Sequence, residues 1–308
     1  MTVRTPSRVH MTLIDLNGGL GRVDGGIGLA LEEPHIEVSV EKNEVVAVEG
    51  PLHKRAHEAA SRILEALDVE GGATITVEHA YEPHIGLGSG TQLMLAVGHA
   101  ISRLYNLDVP IRQIAGIMGR GGTSGIGTAV FEHGGFILDG GHSTEEKPEF
   151  LPSSASRAGP APVLTRLDFP DWKMALAIPR GTRVHGKREV GIFQRYCPIP
   201  VEEVRRLCHL ILMKTLPAVL EKDISAFGES INEMQDVGFK KIEVRLQTQP
   251  VRDILKRCQK VSYGAGLSSF GPAIYAVVDD EDELRDAVGD ETEIVVTKAD
   301  NRGAVMTG

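Results

Sequence analysis

The chain has 308 residues, of which 42% are hydrophobic, 24% charged and 5% aromatic, the profile of an ordinary globular protein. At about 100–200 residues per domain, this length predicts two domains. The formal net charge is -9. Nucleic acids and anionic membranes select an excess of Lys and Arg, so this charge argues against both as partners.

The cysteines, Cys197, Cys208 and Cys258, fall at spacings that match no zinc or redox pattern. An odd number of cysteines without a signal segment indicates free thiols in a reducing compartment. No apolar run approaches the roughly 20 residues needed to cross a bilayer, and the N-terminus has the pattern of a strand. We therefore expect a cytoplasmic protein.

The first half of the chain is rich in predicted strands. Apolar and polar residues alternate, as in half-buried strands, over residues 5–16, 35–41, 44–49 and 73–79. Between the last two, apolar residues recur at helical spacing over 53–67. A second helical pattern begins near residue 91, and glycines are dense over 119–141.

Residues 145–171 are loaded with Pro, Ser and Gly and show no sustained periodicity. We place the domain boundary at the end of this segment, which predicts domains of residues 1–171 and 172–308; a long surface excursion fits the same composition. The second half opens with an apolar strand and is then mostly helical. It closes as strand, helix and strand over its last apolar segments.

A glycine-rich loop precedes the second helical pattern. Glycines at 86, 88 and 90 let the main chain turn tightly with its N–H groups pointing inward, and the helix that follows presents its positive end to the same pocket. Such an arrangement binds phosphate, although a plain strand-to-helix turn is the alternative for a glycine loop taken alone. The predicted phosphate cradle comprises Gly86, Gly88, Ser89, Gly90 and Thr91.

A basic cluster stands out in this acidic chain: Arg180, Arg183, His185, Lys187 and Arg188. No helical period gathers these residues on one solvated face. We predict a clamp for phosphate or carboxylate groups of a substrate. The alternative is a mobile surface loop. The neighbouring Glu189 is a candidate to orient one of the cations.

The glycine loop does not stand alone. The segment from Pro83 to Ser89 resembles the phosphate-binding motif of the GHMP kinase superfamily, and residues 264–277 resemble its C-terminal glycine motif. This resemblance implies an α+β fold of two domains: an N-terminal domain like domain 2 of ribosomal protein S5, and a ferredoxin-like C-terminal domain.

The second motif is implied to approach the same pocket through Gly264, Gly266, Ser268, Ser269 and Gly271. Close packing of the loop against a sheet is the alternative explanation for its glycines.

A narrower resemblance covers most of the chain. Residues 5–31 are similar to the N-terminal signature of the β-ribofuranosylaminobenzene 5′-phosphate synthase family, and the similarity continues through the phosphate loop, residues 119–142 and residues 179–193. It implies a glycosyltransferase of methanopterin biosynthesis. Phosphoribosyl pyrophosphate and 4-aminobenzoate or 4-hydroxybenzoate would give a C-riboside 5′-phosphate, carbon dioxide and pyrophosphate. Mg²⁺ and a homodimer are also implied.

Such a reaction leaves positive charge on the ribose and negative charge on the pyrophosphate. The site therefore needs cations and N–H donors at the pyrophosphate and an anion at the ribose. The glycine-rich segment that follows the first predicted strand is expected to be mostly loop, and it carries Asp15 and Asp24. Both are candidates to hold Mg²⁺ or to face the ribose cation. A solvated turn in which such residues bond to their own backbone is the alternative. Arg8, His10 and Asn17 are candidates to contact the substrate, with His10 in a catalytic role; pairing of Arg8 and His10 with core acids is the alternative.

His133 and His142 flank a glycine-rich strand and are further candidates to reach the site.

The chain departs from the kinases at one position. Many GHMP kinases carry Ser-Gly-x-Asp where this chain has Ser124 to Gly127, and that aspartate helps activate the hydroxyl that attacks ATP. Without the carboxylate, this route to phosphoryl transfer is missing. An ATP-dependent kinase and a ligand-sensing homologue without catalysis remain the alternatives, and turnover of the phosphoribosyl donor distinguishes them.

Overall fold

The computed structural model describes residues 1–153, 155–180 and 187–308, without the side chains of Lys187 and Arg188. Its strands are β1 (Thr2–Asp15), β2 (Arg22–Asn43), β3 (Ala47–Glu49), β4 (Gly72–His79), β5 (Phe136–Asp139), β6 (His142–Ser143), β7 (Val163–Leu167), β8 (Met174–Pro179), β9 (Gly264–Leu267), β10 (Ile274–Val277), β11 (Thr292–Thr297) and β12 (Val305–Thr307).

The helices are α1 (His53–Ala66), α2 (Ser89–Leu104), α3 (Ile111–Ile117), α4 (Ile126–His133), α5 (Lys187–Tyr196), α6 (Val201–Leu210), α7 (Leu216–Glu221), α8 (Ile224–Met234), α9 (Gly238–Arg245), α10 (Gln249–Lys260) and α11 (Glu281–Val288). A π-helical turn, Ile211–Thr215, joins α6 to α7.

The first sheet is built on a long antiparallel hairpin of β1 and β2, in which Asp15 lies opposite Asp24. β4 pairs with the second half of β2 and β3 runs parallel to β4, while β5 pairs with the first half of β2 and with β7. Helices α1 and α2 pack on each other and α2 covers β1 and β2. The predicted apolar face of α1 is buried against this core.

The glycine-rich start of β2 is a strand, although its composition predicts a loop. A methyl group on Gly28 would lie 2.4 Å from Cγ2 of Ile126 and 2.5 Å from the carbonyl oxygen of Val9. Only glycine lets α4 pack this closely on the hairpin. Gly28 therefore serves close packing, whereas Gly25, with a φ of 67°, adopts the left-handed conformation that favours glycine.

The second sheet has four antiparallel strands in the order β11-β8-β10-β9. Numbered along the chain from β8, this is the order 4-1-3-2 of a ferredoxin-like βαββαβ unit, with α10 and α11 packed on it. The predicted two-part α+β architecture is confirmed.

The boundary predicted after residue 171 immediately precedes β8. The C-terminal residues then return to the first sheet, where β12 pairs with β1 and Ala299 bridges to Leu31. In the described parts of the chain, we find no helix with the length and apolar character that crossing a membrane requires.

Candidate active site

A cavity of about 390 Å³ lies where the phosphate loop meets β1, the segment from Arg120 to Thr128, and helices α5 and α9. This volume is in the range of small-molecule sites, about 300–1,000 Å³. The predicted site residues that line it are Arg8, His10, Gly86, Gly88, Ser89, Gly90, Thr91, Ser269 and Gly271.

The phosphate loop has the geometry that its glycines predict. Gly86 and Gly88 have φ values of 99° and 80°, in the left-handed region that favours glycine. Helix α2 begins at Ser89, and its first turn lines the cavity. The positive end of the helix dipole therefore faces the cavity, as an anion site requires.

Two arginines lie beside this helix end. A methyl group on Gly90 would lie 2.7 Å from Nη1 of Arg55 and 3.2 Å from Nη2 of Arg120. Burial, with Arg55 nearby, lowers the pKa of Arg120, and its Nε has no hydrogen-bond partner among the described residues. Two cations held together at a helix N-terminus are suited to a multiply charged anion.

The second glycine motif is bonded to the phosphate loop. The hydroxyl of Ser268 donates to the carbonyl oxygen of Gly86 at 2.8 Å and accepts from the backbone N–H of His10 at 3.1 Å. A methyl group on Gly86 would lie 2.3 Å from the carbonyl oxygen of Ser268. Ser268 is fully buried and does not line the cavity, so its role is to hold the phosphate loop in place. Ser269 and Gly271 line the cavity.

Arg8 and His10 reach the cavity from β1. Arg8 donates from Nη1 to the carbonyl oxygen of Gly86 at 3.1 Å, and burial lowers its pKa to about 10. His10 is buried, and neither ring nitrogen has a hydrogen-bond partner among the described residues. Burial, with Arg8 and Lys240 nearby, lowers the pKa of His10 well below its ordinary value. At neutral pH this imidazole is uncharged.

One wall of the cavity is apolar. Leu13, Phe193 and Phe270 line it and belong to one buried cluster with Phe239. The ring centroid of Phe239 lies 4.8 Å from that of Phe193 and 5.8 Å from that of Phe270. This wall presents a surface on which a flat aromatic ligand can pack.

Glu189 and Glu243 are the carboxylates that line the cavity among the described residues. Glu243 forms a buried ion pair with Lys240, whose Nζ also donates to the carbonyl oxygen of Leu267 at 3.0 Å. Burial, with Glu243 nearby, raises the pKa of Glu189 to about 7.

The predicted acidic residues lie outside the residues that line the cavity. Asp15 accepts hydrogen bonds from the backbone N–H groups of Asn17 and Gly18, at 2.7 and 3.1 Å, and Asn17 donates to the carbonyl oxygen of Ile199. This is the backbone-bonded turn that the sequence left open as an alternative. Within the described residues, no cluster of three or more His, Cys, Asp or Glu side chains is placed to hold a metal ion.

Asp24 is the centre of a buried ion cluster next to the cavity. Its carboxylate accepts from Lys147 Nζ at 2.9 and 3.1 Å and from His142 Nδ1 at 2.7 Å. The other nitrogen of His142 donates to the carbonyl oxygen of Gly159 at 2.9 Å. Burial alone would lower the pKa of His142, but these two hydrogen bonds raise it overall.

The cluster positions a cavity-lining segment, because Lys147 also donates to the hydroxyl of Thr123 at 2.9 Å. Asp24 thus contributes to the site indirectly, through Lys147 and Thr123. Both carboxylate oxygens of Asp24 already accept hydrogen bonds.

Other candidates lie away from the cavity. Methyl groups on Gly264 and Gly266 would clash with Gly228 and with Tyr275, so both glycines serve close packing. Arg180 is exposed next to β11, and His133 is partly exposed beside Glu132. The other four members of the predicted basic clamp cannot be placed. Arg183 and His185 lie outside the described residues, as do the side chains of Lys187 and Arg188.

Several site residues carry no signal in the sequence. Arg55 and Glu243 occupy helices whose charged residues resemble an ordinary solvated face. Arg120 is a single basic residue within the glycine-dense stretch, so no charge pattern marks it as a site residue. Phe193 follows the basic cluster at helical spacing, so its proximity to Glu189 is the one contact that the sequence could have indicated.

The fold and the glycine loop at α2 define a protein of the GHMP kinase class. Residues 52–135 match the GHMP kinases N terminal domain, and residues 215–291 match the GHMP kinases C terminal domain. The phosphomevalonate kinase of Streptococcus pneumoniae has the same fold, with a TM-score of 0.71, 12% identity, and coverage of 97% of this chain and 99% of that chain. The homoserine kinase of Cytophaga hutchinsonii also has this fold, with a TM-score of 0.68, 19% identity, and coverage of 99% of this chain and 96% of that chain.

Much greater similarity links the chain to one enzyme family. It is 53% identical to the β-ribofuranosylphenol 5′-phosphate synthase of Archaeoglobus fulgidus, over 98% of each chain. The synthase of the same name from Methanocaldococcus jannaschii is 47% identical, over 98% of this chain and 99% of that protein. The chain belongs to the β-ribofuranosylphenol 5′-phosphate synthase family.

Proposed function

We propose that the protein condenses phosphoribosyl pyrophosphate with 4-hydroxybenzoate, releasing carbon dioxide and pyrophosphate and forming β-ribofuranosylphenol 5′-phosphate. The observation that carries this proposal is a single cavity with an anion cradle at Gly90 and an apolar wall of Phe193 and Phe270. A charged sugar diphosphate and an aromatic acid need these two surfaces side by side.

The cradle supplies what pyrophosphate departure requires. The N-terminus of α2, Arg55 and Arg120 converge on one side of the cavity and would stabilise the charge that develops on the leaving group. Arg8, which is bonded to Gly86, adds a third cation to the lining of the cavity. Gly127 also lines the cavity, so the carboxylate that activates a hydroxyl in many of the kinases is missing there.

The relatives are named β-ribofuranosylphenol 5′-phosphate synthases, which favours the hydroxylated aromatic acid, since its product is a phenol. A ring carbon attacks the ribose carbon that loses pyrophosphate, and loss of carbon dioxide restores aromaticity. The breaking bond returns its electrons to a cationic or dienone ring, so no electron-sink cofactor is needed. We keep 4-aminobenzoate as the alternative nucleophile.

Mg²⁺ remains a prediction. Asp24 does not fit as its ligand, because Lys147 and His142 engage the carboxylate, and Asp15 accepts two backbone hydrogen bonds through one oxygen. Mg²⁺ is often carried by phosphate groups with one or two protein carboxylates. We therefore expect Mg²⁺ to arrive with the diphosphate.

The test is turnover by the purified protein. Phosphoribosyl pyrophosphate, Mg²⁺ and 4-hydroxybenzoate should yield carbon dioxide, pyrophosphate and the C-riboside in equal amounts, measured by ¹³C label and mass spectrometry. ATP offered alone should yield no ADP. Formation of ADP as the only product would support a kinase instead, and donor binding without any product would support a ligand sensor.

A homodimer and a cytoplasmic location also remain predictions. The three cysteines are free thiols in the structure, in keeping with a reducing compartment. Sedimentation velocity of the purified protein measures the subunit number.

A further inference from the structure

The cavity holds two acids whose surroundings differ. Burial raises the pKa of Glu243, and its ion pair with Lys240 opposes that rise. Glu189 has no ion-pair partner among the described residues, and its strongest electrostatic neighbour is the like-charged Glu243. An unpaired acid beside another acid and an apolar wall accepts a proton readily.

We propose that Glu189 is the general base that takes the hydroxyl proton of the aromatic acid. This inference rests on the proposed function and goes beyond it by assigning a catalytic residue and a basis for choosing phenols. The sequence pattern predicts a different role for Glu189, that of orienting a neighbouring cation.

The geometry places the acid at the edge of the aromatic wall. Glu189 and Phe193 are four residues apart in α5, so they lie on the same face of the helix, and both line the cavity. A ring packed along Phe193 and Phe270 therefore has Glu189 within reach of one end. The carboxylated end would then lie towards the phosphate loop, which lines the same cavity.

The chemistry explains why a phenol needs this base. Glu189 accepts the hydroxyl proton, and the oxygen electrons move through the ring to its para carbon, which bears the carboxylate. That carbon bonds to the ribose carbon as the bond to pyrophosphate breaks, with the electron pair leaving on pyrophosphate. The bond to carbon dioxide then breaks, its electrons restore the aromatic ring, and the phenolate recovers the proton from Glu189.

An aromatic amine needs no such help. The neutral amino group of 4-aminobenzoate donates its lone pair to the ring directly, and decarboxylation of the resulting iminium ion returns it to the amine. The nitrogen keeps the same number of protons throughout the reaction. A general base thus accelerates the phenol and leaves the amine almost unaffected.

The surrounding charges suit this role. Arg8 and His10 face this part of the cavity from β1, and Glu243, backed by Lys240, faces it from α9. His10 is uncharged, so it does not compete as a cation. Burial, with Glu243 nearby, raises the pKa of Glu189 to about 7, which is close to the value at which a base is both ionised and proton-accepting at neutral pH.

The experiment compares two substrates in one variant. Glu189→Gln should lower kcat/KM for 4-hydroxybenzoate by about 100-fold or more, within the range of general-base catalysis. Its kcat/KM for 4-aminobenzoate should fall by less than 5-fold, roughly the effect of a lost polar contact. Glu202→Gln, which changes an exposed glutamate of α6, is the matched control and should leave both values unchanged.

Equal losses with both aromatic acids would overturn the proposal, because an acid that steadies the ribose cation serves both substrates alike. The pH profile gives a second readout that survives a misfolded variant: in the wild-type enzyme, kcat/KM for 4-hydroxybenzoate should fall as the pH drops through about 7, and that for 4-aminobenzoate should not. The same fall with both would also overturn it. Failure of the wild-type enzyme to turn over either acid is a failure of the proposed function instead.

Discussion

The guanidinium groups of Arg55 and Arg120 meet beside Gly90, within about a methyl group's reach of the first turn of α2. Arg55 comes from α1 and Arg120 from the loop after α3, so the two cations converge only in the folded chain. Repulsion between two cations held together in this way lowers the stability of the folded protein unless an anion binds between them.

Replacing Arg120 should weaken binding of the phosphoribosyl donor. A charge-assisted hydrogen bond contributes about 1.5–3 kcal/mol, so Arg120→Gln should raise KM for the donor by about 10–100-fold. Steady-state kinetics with saturating aromatic acid measure this. Arg62→Gln is the control, because Arg62 is paired with Glu58 and is not among the residues that line the cavity. An unchanged donor KM in Arg120→Gln would remove the assignment.

The bridge through Ser268 predicts a smaller effect at the same loop. Ser268→Ala removes the bond to Gly86 and leaves the backbone N–H of His10 without its acceptor. The loss should cost about 1–3 kcal/mol of folding stability and raise the donor KM by a few fold. Ser262→Ala is the matched control, since its hydroxyl bonds locally to Cys258 within the end of α10. Equal melting temperatures and equal KM values for the two variants would contradict the bridge.

The sequence was informative where local chemistry decides the structure. Glycines in the left-handed region at 86 and 88 and the helix that follows could be predicted from the loop alone, since few other residues adopt those angles. The strand order of the second sheet came only from the resemblance, because periodicity does not fix which strands pair. The start of β2 was misjudged because glycine signals both turns and close packing, and Ile126, which demands the packing at Gly28, is far along the chain.

The site could be predicted only in part, for the same reason. Arg8 and His10 are two residues apart on one strand, so both are expected to point to the same face. The sequence pattern does not distinguish Asp15 from Asp24, yet the hairpin places Asp24 against Lys147 and His142 and leaves Asp15 bonded to its own turn. Burial distinguishes them, and burial depends on residues that are remote in sequence.

The ion cluster at Asp24 predicts a large loss of stability. Asp24→Asn would leave Lys147 charged and buried, which typically costs about 3–5 kcal/mol in the free energy of unfolding. Asp168→Asn is the control: its exposed pair with Arg166 should contribute about 1 kcal/mol or less. Urea unfolding measures both. Equal losses in the two variants would show that the cluster is not what stabilises this region.

The same cluster predicts a pH dependence of stability. The pKa of His142 is raised in the folded protein, so its contribution is fully present below the unfolded value near 6.5 and is lost as the pH rises through the folded value. The melting temperature of His142→Gln should therefore fall further below that of the wild type at pH 6 than at pH 9. A difference that grows with pH would have the wrong sign.

Phe270 provides the test of where the aromatic acid binds. Phe270→Leu keeps an apolar side chain but removes a ring face, and aromatic pairs contribute about 0.5–1.5 kcal/mol beyond burial. KM for 4-hydroxybenzoate should rise by about 2–10-fold while KM for the phosphoribosyl donor stays the same. Phe169→Leu, in the separate aromatic cluster with Trp172, controls for loss of a buried ring. If the donor KM rises with the aromatic one, Phe270 acts by supporting the loop that contains Ser269 and Gly271, and the aromatic acid packs elsewhere.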